Sequence, residues 1–456
     1  MDYSASNSAL WNATVQFGII AAAVLVANVL RRKIAFVRRS LLPTAVLAGF
    51  ILLLLRSVSP LKLDMPLLEI MTYHGIAIGF IALSLRIPRK SEETKGEMVA
   101  AKSGALIVST YLVQALLGFA IVYALVATIM PNLFPAAGIL LPMGYGQGPG
   151  QANNVGNTYE QLGFVGGRSF ALAIAAAGYL CACIVGIIYL NVLNRKGKLT
   201  RKTPEALSGS VTVDTFEDDD EVPIAESIDR MSVQIALVII VYLATFLLTR
   251  GITAGLAAVA PGAAKAVSSL LWGFNFIVGS ALAMLLRAVM KSLRKSRIMT
   301  HQYQNNYLLS RISGLAFDLM IVAGIASIEI GDLSGLWTPF LIMAVLGGVV
   351  TLVFLQWVCK KLYRGYYYEG LMAMYGMLTG TISSGVLLLR EIDPDLRTPA
   401  ANNLVTGSGT GIIFGIPMLI LISLAPERPL LVVIVCAAYL TLLLLFIFKV
   451  RRRNKK

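Results

Sequence analysis

The chain has 456 residues, of which 57% are apolar or aromatic and only 14% are charged, and its mean hydropathy is +0.75. Soluble globular domains carry far more charge, so this composition predicts a membrane protein and excludes a soluble enzyme. At about 20 apolar residues for each spanning helix, the chain has room for about eleven spans but not for a separate soluble domain.

Apolar runs predict the spans directly. They lie near residues 11–30, 40–56, 66–85, 103–128, 168–191, 231–249, 266–288, 312–330, 336–358, 403–424 and 429–448. We therefore expect an all-α polytopic membrane protein with about 11 transmembrane helices.

The net charge of +15 is unevenly placed along the chain. Of the 39 Lys and Arg residues, 31 fall in alternate connections between the predicted spans, six in the remaining connections, and two, Arg390 and Arg397, in a segment near 365–400 that is described below. The positive-inside rule then predicts an inner (plasma) membrane protein with its N-terminus outside and its basic tail, 449–456, in the cytoplasm. Because topology and a lipid bilayer account for the charge, no nucleic-acid partner is expected.

One long polar connection, residues 191–229, divides the chain near its midpoint and contains an acidic run at 217–221. Such a run is typical of a solvated cytoplasmic linker, with a regulatory site as the alternative. Five predicted spans precede the linker, so the second half enters the membrane from the opposite side. The parts 1–190 and 230–448 are thus predicted to be inverted-topology repeats of five and six spans, as in secondary transporters.

Each half also contains a segment that is unlike a spanning helix. The first, about 130–166, has four prolines and many glycines, and the second, about 365–400, has an apolar stretch followed by small polar residues. A continuous helix does not tolerate that density of Pro and Gly, so both are predicted to be glycine-rich re-entrant hairpins that enter from opposite faces. Irregular backbone at membrane depth must be covered by protein or line a cavity, and the two tips are expected to meet near the midplane.

The hairpin tips carry polar groups suited to binding a solute and an ion. Helix N-termini attract an anion, and free oxygen atoms coordinate a small cation. The alternative interpretation is that small residues only allow helices to pack closely. The candidate substrate-binding residues are Gly146, Gln147, Gly148, Gln151, Thr381, Ser383, Ser384, Arg390 and Asn402. The candidate sodium ligands are Asn153, Asn154, Thr379, Thr381 and Asp318.

Two ionisable residues leave alternatives open. Asp318 lies within an apolar span, where it could be a sodium ligand, a proton carrier or the partner of a basic residue. Arg390 ends the apolar run of the second hairpin. Its guanidinium could hold a substrate carboxylate with two hydrogen bonds, or pair with Glu391 or Asp393.

The GYGQGPG segment after the fourth span, the GMLTGTISSGVLLLREIDP segment after the ninth and the central linker resemble the sodium:glutamate symporter family over most of the chain. The resemblance implies an inverted-repeat secondary transporter with two glycine-rich re-entrant loops. It also implies sodium-coupled uptake of glutamate, or of a related amino-acid or dicarboxylate anion, with Na⁺ as the coupling ion and no other cofactor. Related folds are dimers that work by an elevator movement, so a homodimer is expected.

Other classes of membrane protein fit the sequence less well. The GYG at 144–146 occurs once and follows Leu-Pro-Met, unlike the filter of a potassium channel. The spans hold one Asp and one His far apart, and GxSxG and HExxH motifs are absent, so no enzyme is expected. Two His and four Cys are too scattered for a metal centre or a disulfide framework. The remaining alternative is a transporter of the same architecture that is driven by protons, with Asp318 as the proton site, or that exports another organic anion.

Overall fold

The computed structural model describes residues 3–4, 7–35, 37, 42–58, 62–87, 94–196, 230–259, 268, 271–273, 275–299, 301–393 and 398–449. Most of the predicted linker and nearly all of the basic tail lie outside these ranges. The α-helices are α1 (Ser8–Lys33), α2 (Thr44–Val58), α3 (Met65–Leu85), α4 (Thr94–Thr128), α5 (Leu140–Tyr145), α6 (Pro149–Gln161), α7 (Gly167–Arg195), α8 (Arg230–Val259), α9 (Asn275–Lys295), α10 (Asn306–Ala326), α11 (Trp337–Leu362), α12 (Tyr367–Thr379), α13 (Ile382–Arg390), α14 (Ala400–Leu424) and α15 (Pro429–Phe448).

Ten helices in the described part of the chain are long and apolar enough to cross a membrane: α1, α3, α4, α7, α8, α9, α10, α11, α14 and α15. The prediction of an all-α, multi-pass membrane protein is confirmed at this level. The predicted span at 40–56 corresponds to α2, an apolar helix of 15 residues. It is shorter than the roughly 20 residues that a straight crossing requires.

The predicted span at 266–288 ends earlier than its helix, because α9 runs from Asn275 to Lys295; most of 266–274 lies outside the described residues. The helix continues past Arg287, whose guanidinium donates to the carbonyl oxygens of Ser84 at 3.1 Å and Arg86 at 2.8 Å. A charge with such acceptors does not have to end a helix, and hydropathy alone does not reveal those acceptors.

The helices form two compact units, and each unit draws on both halves of the sequence. The first comprises residues 1–68, 91–203 and 322–456. Its centre is α4, the most buried of the ten candidate spans, which packs against α11, α14 and α15. The contact with α14 is close, since the Thr410 hydroxyl donates to the carbonyl of Ala100 at 2.9 Å.

The second unit comprises residues 69–90 and 204–321, and therefore most of α3, all of α8 and α9, and most of α10. Its buried core comes from all four helices: Ile81, Ala82, Leu85, Val238, Val241, Ala283 and Leu309. At one end, the side chain of Asn306 accepts from the backbone N–H of Ile87 at 2.7 Å and donates to its carbonyl at 3.0 Å. This pair of bonds fixes the end of α3 to the start of α10.

Candidate functional site

The first broken segment, Pro135–Gln161, lies in the first unit. It consists of a short 3-10 helix (Pro135–Ile139), α5, a break at residues 146–148, and α6. Gly148 has φ +86°, a left-handed conformation that glycine adopts without strain. Pro149 then starts α6, where its missing N–H and fixed φ suit the first helical position.

The two ends of the first broken segment lie side by side. The Phe134 ring, just before the segment, stacks on the Phe164 ring just after it, with centroids 5.1 Å apart and planes inclined by 6°. The Phe134 ring also packs on Tyr159 in the last turns of α6. The chain therefore leaves the segment beside the point at which it came in.

The first broken segment also packs against α4. The backbones of Gly118 and Gly138 approach so closely that a Cβ on either residue would overlap the other helix. This contact requires glycine on both sides, and it sets the segment against the C-terminal half of α4.

The second broken segment, Tyr367–Arg390, lies in the same unit. It consists of α12, a break at Gly380 and Thr381, and α13. The two helices pack on each other through glycine, since a Cβ on Gly376 would meet the backbone of Gly385 at 2.8 Å. Gly376 and Gly385 lie four residues on either side of the break, so α12 and α13 fold back on one another.

The ends of the second broken segment also lie together. Asn403 donates through Nδ2 to the Tyr366 hydroxyl at 2.8 Å, which joins the chain before α12 to the start of α14. The Tyr363 hydroxyl forms a 2.9 Å hydrogen bond with the Ser103 hydroxyl near the start of α4. Burial raises the pKa of both tyrosines, although the bond to Asn403 partly offsets this for Tyr366. Both hydroxyls therefore keep their protons at neutral pH.

The two breaks meet within the first unit. A Cβ placed on Gly148 would lie 3.6 Å from Cγ2 of Thr381 and 3.8 Å from the carbonyl oxygen of Gly380. Tyr179 of α7 lies beside both breaks, because the same Cβ would be 3.9 Å from its hydroxyl and a Cβ on Gly380 would be 3.1 Å from its ring. The tyrosine itself is fully buried.

Several buried oxygen atoms on these segments have no hydrogen-bond partner among the described residues. Those on α6 are Oε1 of Gln151 and Oδ1 of Asn153, and those at the start of α13 are Oγ1 of Thr381 and Oγ of Ser384. Gln151 is 1% exposed and Ser384 is 2% exposed. A buried polar atom without a partner costs free energy, so each of these oxygen atoms is a candidate to bind a ligand, an ion or water.

The electrostatics at the breaks come from the backbone. The charged residues of the two broken segments are Glu160, Glu369 and Arg390. They all lie near the outer ends of the segments and not at the breaks. The N-termini of α6 and α13 both begin at the breaks, and neither has a side-chain cap. Each helix N-terminus carries roughly half a positive charge. The breaks are therefore suited to an anionic group, and the neutral oxygen atoms to a cation.

Gln114 is a site residue that the sequence-based prediction missed. It is fully buried on α4, and its Nε2 donates to Oγ1 of Thr351 and to the carbonyl of Leu378, both at 2.9 Å. A carbonyl can only accept, so the amide nitrogen faces Leu378 and Oε1 is left without a partner. A Cβ on Gly146 would lie 3.0 Å from that oxygen. An amide within the apolar run 103–128 is the signal that could have identified it.

The predicted site residues are not all at the breaks. Gly146, Gln147 and Gly148 form the first break, and Thr381 is the N-cap of α13. Asn154 is buried on α6, whereas the hydroxyl of Thr379 donates to the Tyr375 carbonyl of its own helix at 2.8 Å. The side chains of Ser383 and Asn402 lie outside the described part of the structure.

Arg390 is exposed at the last residue of α13, about 13 Å along the helix from Thr381. In this structure its guanidinium is thus at the opposite end of α13 from the break. Asp318 belongs to the second unit, near the middle of α10. The residue is exposed on the helix surface, and it forms no hydrogen bond or ion pair with the described residues of that unit.

No protein-family model matches the chain, and no curated protein matches its sequence.

Proposed function

We propose that the protein is a secondary active transporter that binds a small organic anion where the two broken segments meet. The observation that carries the proposal is the position of Gly148 against Gly380 and Thr381, which puts two uncapped helix N-termini beside buried oxygen atoms that lack partners. Soluble-protein folds place such irregular backbone at the surface, whereas transporters use it to line a site at membrane depth.

In this proposal the broken segments are re-entrant hairpins of two inverted repeats. Their attachment to α4 supports this. The first segment follows Thr128 at the C-terminal end of α4, while the start of the second is tied to Ser103 near the opposite end. Ser103 and Thr128 are about 37 Å apart along a straight helix, more than the thickness of the hydrocarbon core. Two segments anchored at opposite ends of one spanning helix approach the site from opposite faces.

The substrate class follows from the chemistry of the breaks. A carboxylate suits the N-termini of α6 and α13, and Na⁺ suits neutral amide and hydroxyl oxygen atoms such as those of Asn153 and Thr381. We therefore propose sodium-coupled uptake of glutamate or a related amino-acid or dicarboxylate anion. The resemblance to the sodium:glutamate symporters adds alternating access by an elevator movement, a homodimer, and an inner-membrane location with the N-terminus outside.

Proton-coupled transport or export of another organic anion is the second candidate. The position of Asp318 favours it, because a carboxylate in the middle of an apolar helix must face water or protein to remain charged. A carboxylate in such a position could bind and release a proton during each transport cycle.

Reconstituted proteoliposomes separate the two candidates. Purified protein is given labelled L-glutamate or aspartate under an inward sodium gradient, an inward proton gradient, or neither. We expect accumulation with the sodium gradient, enhanced by a negative interior because each net positive charge gains about 2.3 kcal/mol per 100 mV. Accumulation with the proton gradient alone would favour the second candidate. No gradient-dependent uptake of either amino acid or of a dicarboxylate panel would contradict the proposed substrate class.

A further inference from the structure

The C-terminal ends of α11 and α15 carry a cluster of basic and aromatic side chains in the first unit. Nζ of Lys361 lies 4.7 Å from the centroid of the Phe448 ring and 5.4 Å from that of Trp357. The two rings meet edge to face, with centroids 5.2 Å apart. The ammonium group of Lys361 is therefore held over two aromatic rings while remaining exposed to solvent.

Other lysines belong to the same region. Lys102, about two turns into α4, donates to the carbonyl oxygen of Lys449 at 3.2 Å, which brings a third helix to the cluster. Lys360 and Lys449 are exposed. None of these lysines forms an ion pair with a carboxylate in the described part of the chain. Like charges gathered at one place repel each other, so an anion that binds among them is strongly favoured.

Apolar surface runs down from the lysines on both helices. On α11, Val353 and Trp357 lie four residues apart on the face that ends in Lys361 and are 59% and 46% exposed. On α15, Leu442 and Leu445 are 63% and 64% exposed on the face that ends in Lys449. Each helix therefore presents an apolar stripe that ends in a lysine. Such a surface is complementary to a molecule with a hydrocarbon chain and an anionic head group.

We propose that Lys102 of α4 and the C-terminal ends of α11 and α15 form a binding site for an anionic phospholipid. The phosphate group lies among Lys102, Lys361 and Lys449, and an acyl chain follows the apolar stripes of α11 and α15. Lysines near a helix C-terminus also interact with its carbonyl groups, but that role alone requires neither the aromatic pair nor three converging helices. The convergence of three basic connections at one point matches the charge pattern of the sequence, which puts all of them on the cytoplasmic side.

The test measures lipid binding to the full-length protein in detergent, by native mass spectrometry and by the shift in unfolding temperature. The probes are phosphatidylglycerol, phosphatidylcholine with the same chains, and inorganic phosphate. The double variant combines Lys361→Gln with Lys449→Gln. The control pair combines Lys62→Gln with Arg428→Gln and changes the net charge equally. A third variant is Lys361→Arg. Lys62 and Arg428 are exposed residues in the predicted external connections.

We expect wild-type protein to retain phosphatidylglycerol in preference to phosphatidylcholine. Each lysine contributes about fivefold in affinity, so the double variant should bind phosphatidylglycerol roughly 25-fold more weakly. The control pair and Lys361→Arg should stay within about twofold of wild type. Unchanged phosphatidylglycerol binding in the double variant would overturn the site. Equal stabilisation by inorganic phosphate would show a site for a soluble anion and overturn the lipid assignment. Both measurements report lipid binding and not transport. The lipid site can therefore be disproved without affecting the proposed transport function, and the transport function without affecting the lipid site.

Discussion

Gln114 donates its side-chain amide to the carbonyl oxygen of Leu378, one residue before the end of α12, while its own carbonyl oxygen lies beside Gly146. A single buried side chain of α4 thus touches the backbone next to both breaks. If a movement of the first break displaces Gln114, the hydrogen bond from Gln114 to Leu378 at the second break changes as well. The two broken segments are therefore linked through α4 as well as through their direct contact.

Replacement of Gln114 by Leu should destabilise the protein. The change leaves the Leu378 carbonyl without its side-chain donor in a buried position, which costs about 1–3 kcal/mol. The unfolding temperature in detergent measures the effect. The control is Thr351→Val, which removes only the other acceptor of the same amide and should cost less. An unchanged unfolding temperature for Gln114→Leu would show that the amide does not support the breaks.

Gly178 and Gly255 provide a matched pair of Gly→Ala substitutions. A Cβ on Gly178 would overlap the carbonyl oxygen of Thr379, whereas nothing lies within 4 Å of a Cβ on Gly255. Gly178→Ala should therefore force α12 away from α7 and cost about 1–3 kcal/mol. Gly255→Ala should be neutral or stabilising by up to about 1 kcal/mol, since Ala favours a helix more than Gly does. Equal unfolding temperatures for the two variants would contradict the packing described for the second break.

Asn153 and Asn157 test the role of the neutral oxygen atoms. Both lie on α6, but Asn153 is buried with an unpartnered oxygen and Asn157 is exposed. If Na⁺ binds these oxygen atoms, sodium should raise the unfolding temperature of the wild type and of Asn157→Ala. Asn153→Ala should need about tenfold more sodium for the same shift, as expected when about 1.4 kcal/mol of binding free energy is lost. The same sodium dependence in both variants would exclude Asn153 as a ligand.

Asp318→Asn separates sodium from proton coupling. If sodium drives uptake through the breaks, the variant should still accumulate L-glutamate under a sodium gradient in proteoliposomes, to within about a factor of ten of the wild-type rate. If Asp318 carries the proton, uptake driven by a pH gradient should be lost, while exchange of internal for external substrate continues. Full pH-driven uptake by the variant would rule out Asp318 as the proton site.

Most of the helical architecture could be predicted from the sequence, because long apolar runs and alternating basic connections directly reflect the thickness and polarity of a bilayer. Clustered Pro and Gly residues also indicated where helices break, since each disfavours a helix interior, although the single Pro417 lies inside α14 without ending it. Helix ends were less predictable. The predicted span ends at 288, whereas α9 continues to Lys295, and the acceptors of Arg287 at Ser84 and Arg86 lie two hundred residues earlier in the chain.

The candidate site was only partly predictable, because its members come together through tertiary contacts. Gln151, Asn153, Thr381 and Ser384 were predicted as site residues from their places in the broken segments, and each has a buried oxygen atom without a partner among the described residues. Gln114 was not predicted, since its place beside both breaks depends on tertiary contacts of α4. Arg390 has the right chemistry for a carboxylate, but the length of α13 separates it from the break.

The most direct test of the account is a cryo-electron microscopy map of the protein in a lipid nanodisc with L-glutamate and sodium, compared with a map in potassium without glutamate. We expect density for the amino acid beside Gly148 and Thr381, with its carboxylate at the N-termini of α6 and α13. A map in which Gly148 is separated from Gly380 and Thr381, or in which the added density lies away from these residues, would contradict the proposed site.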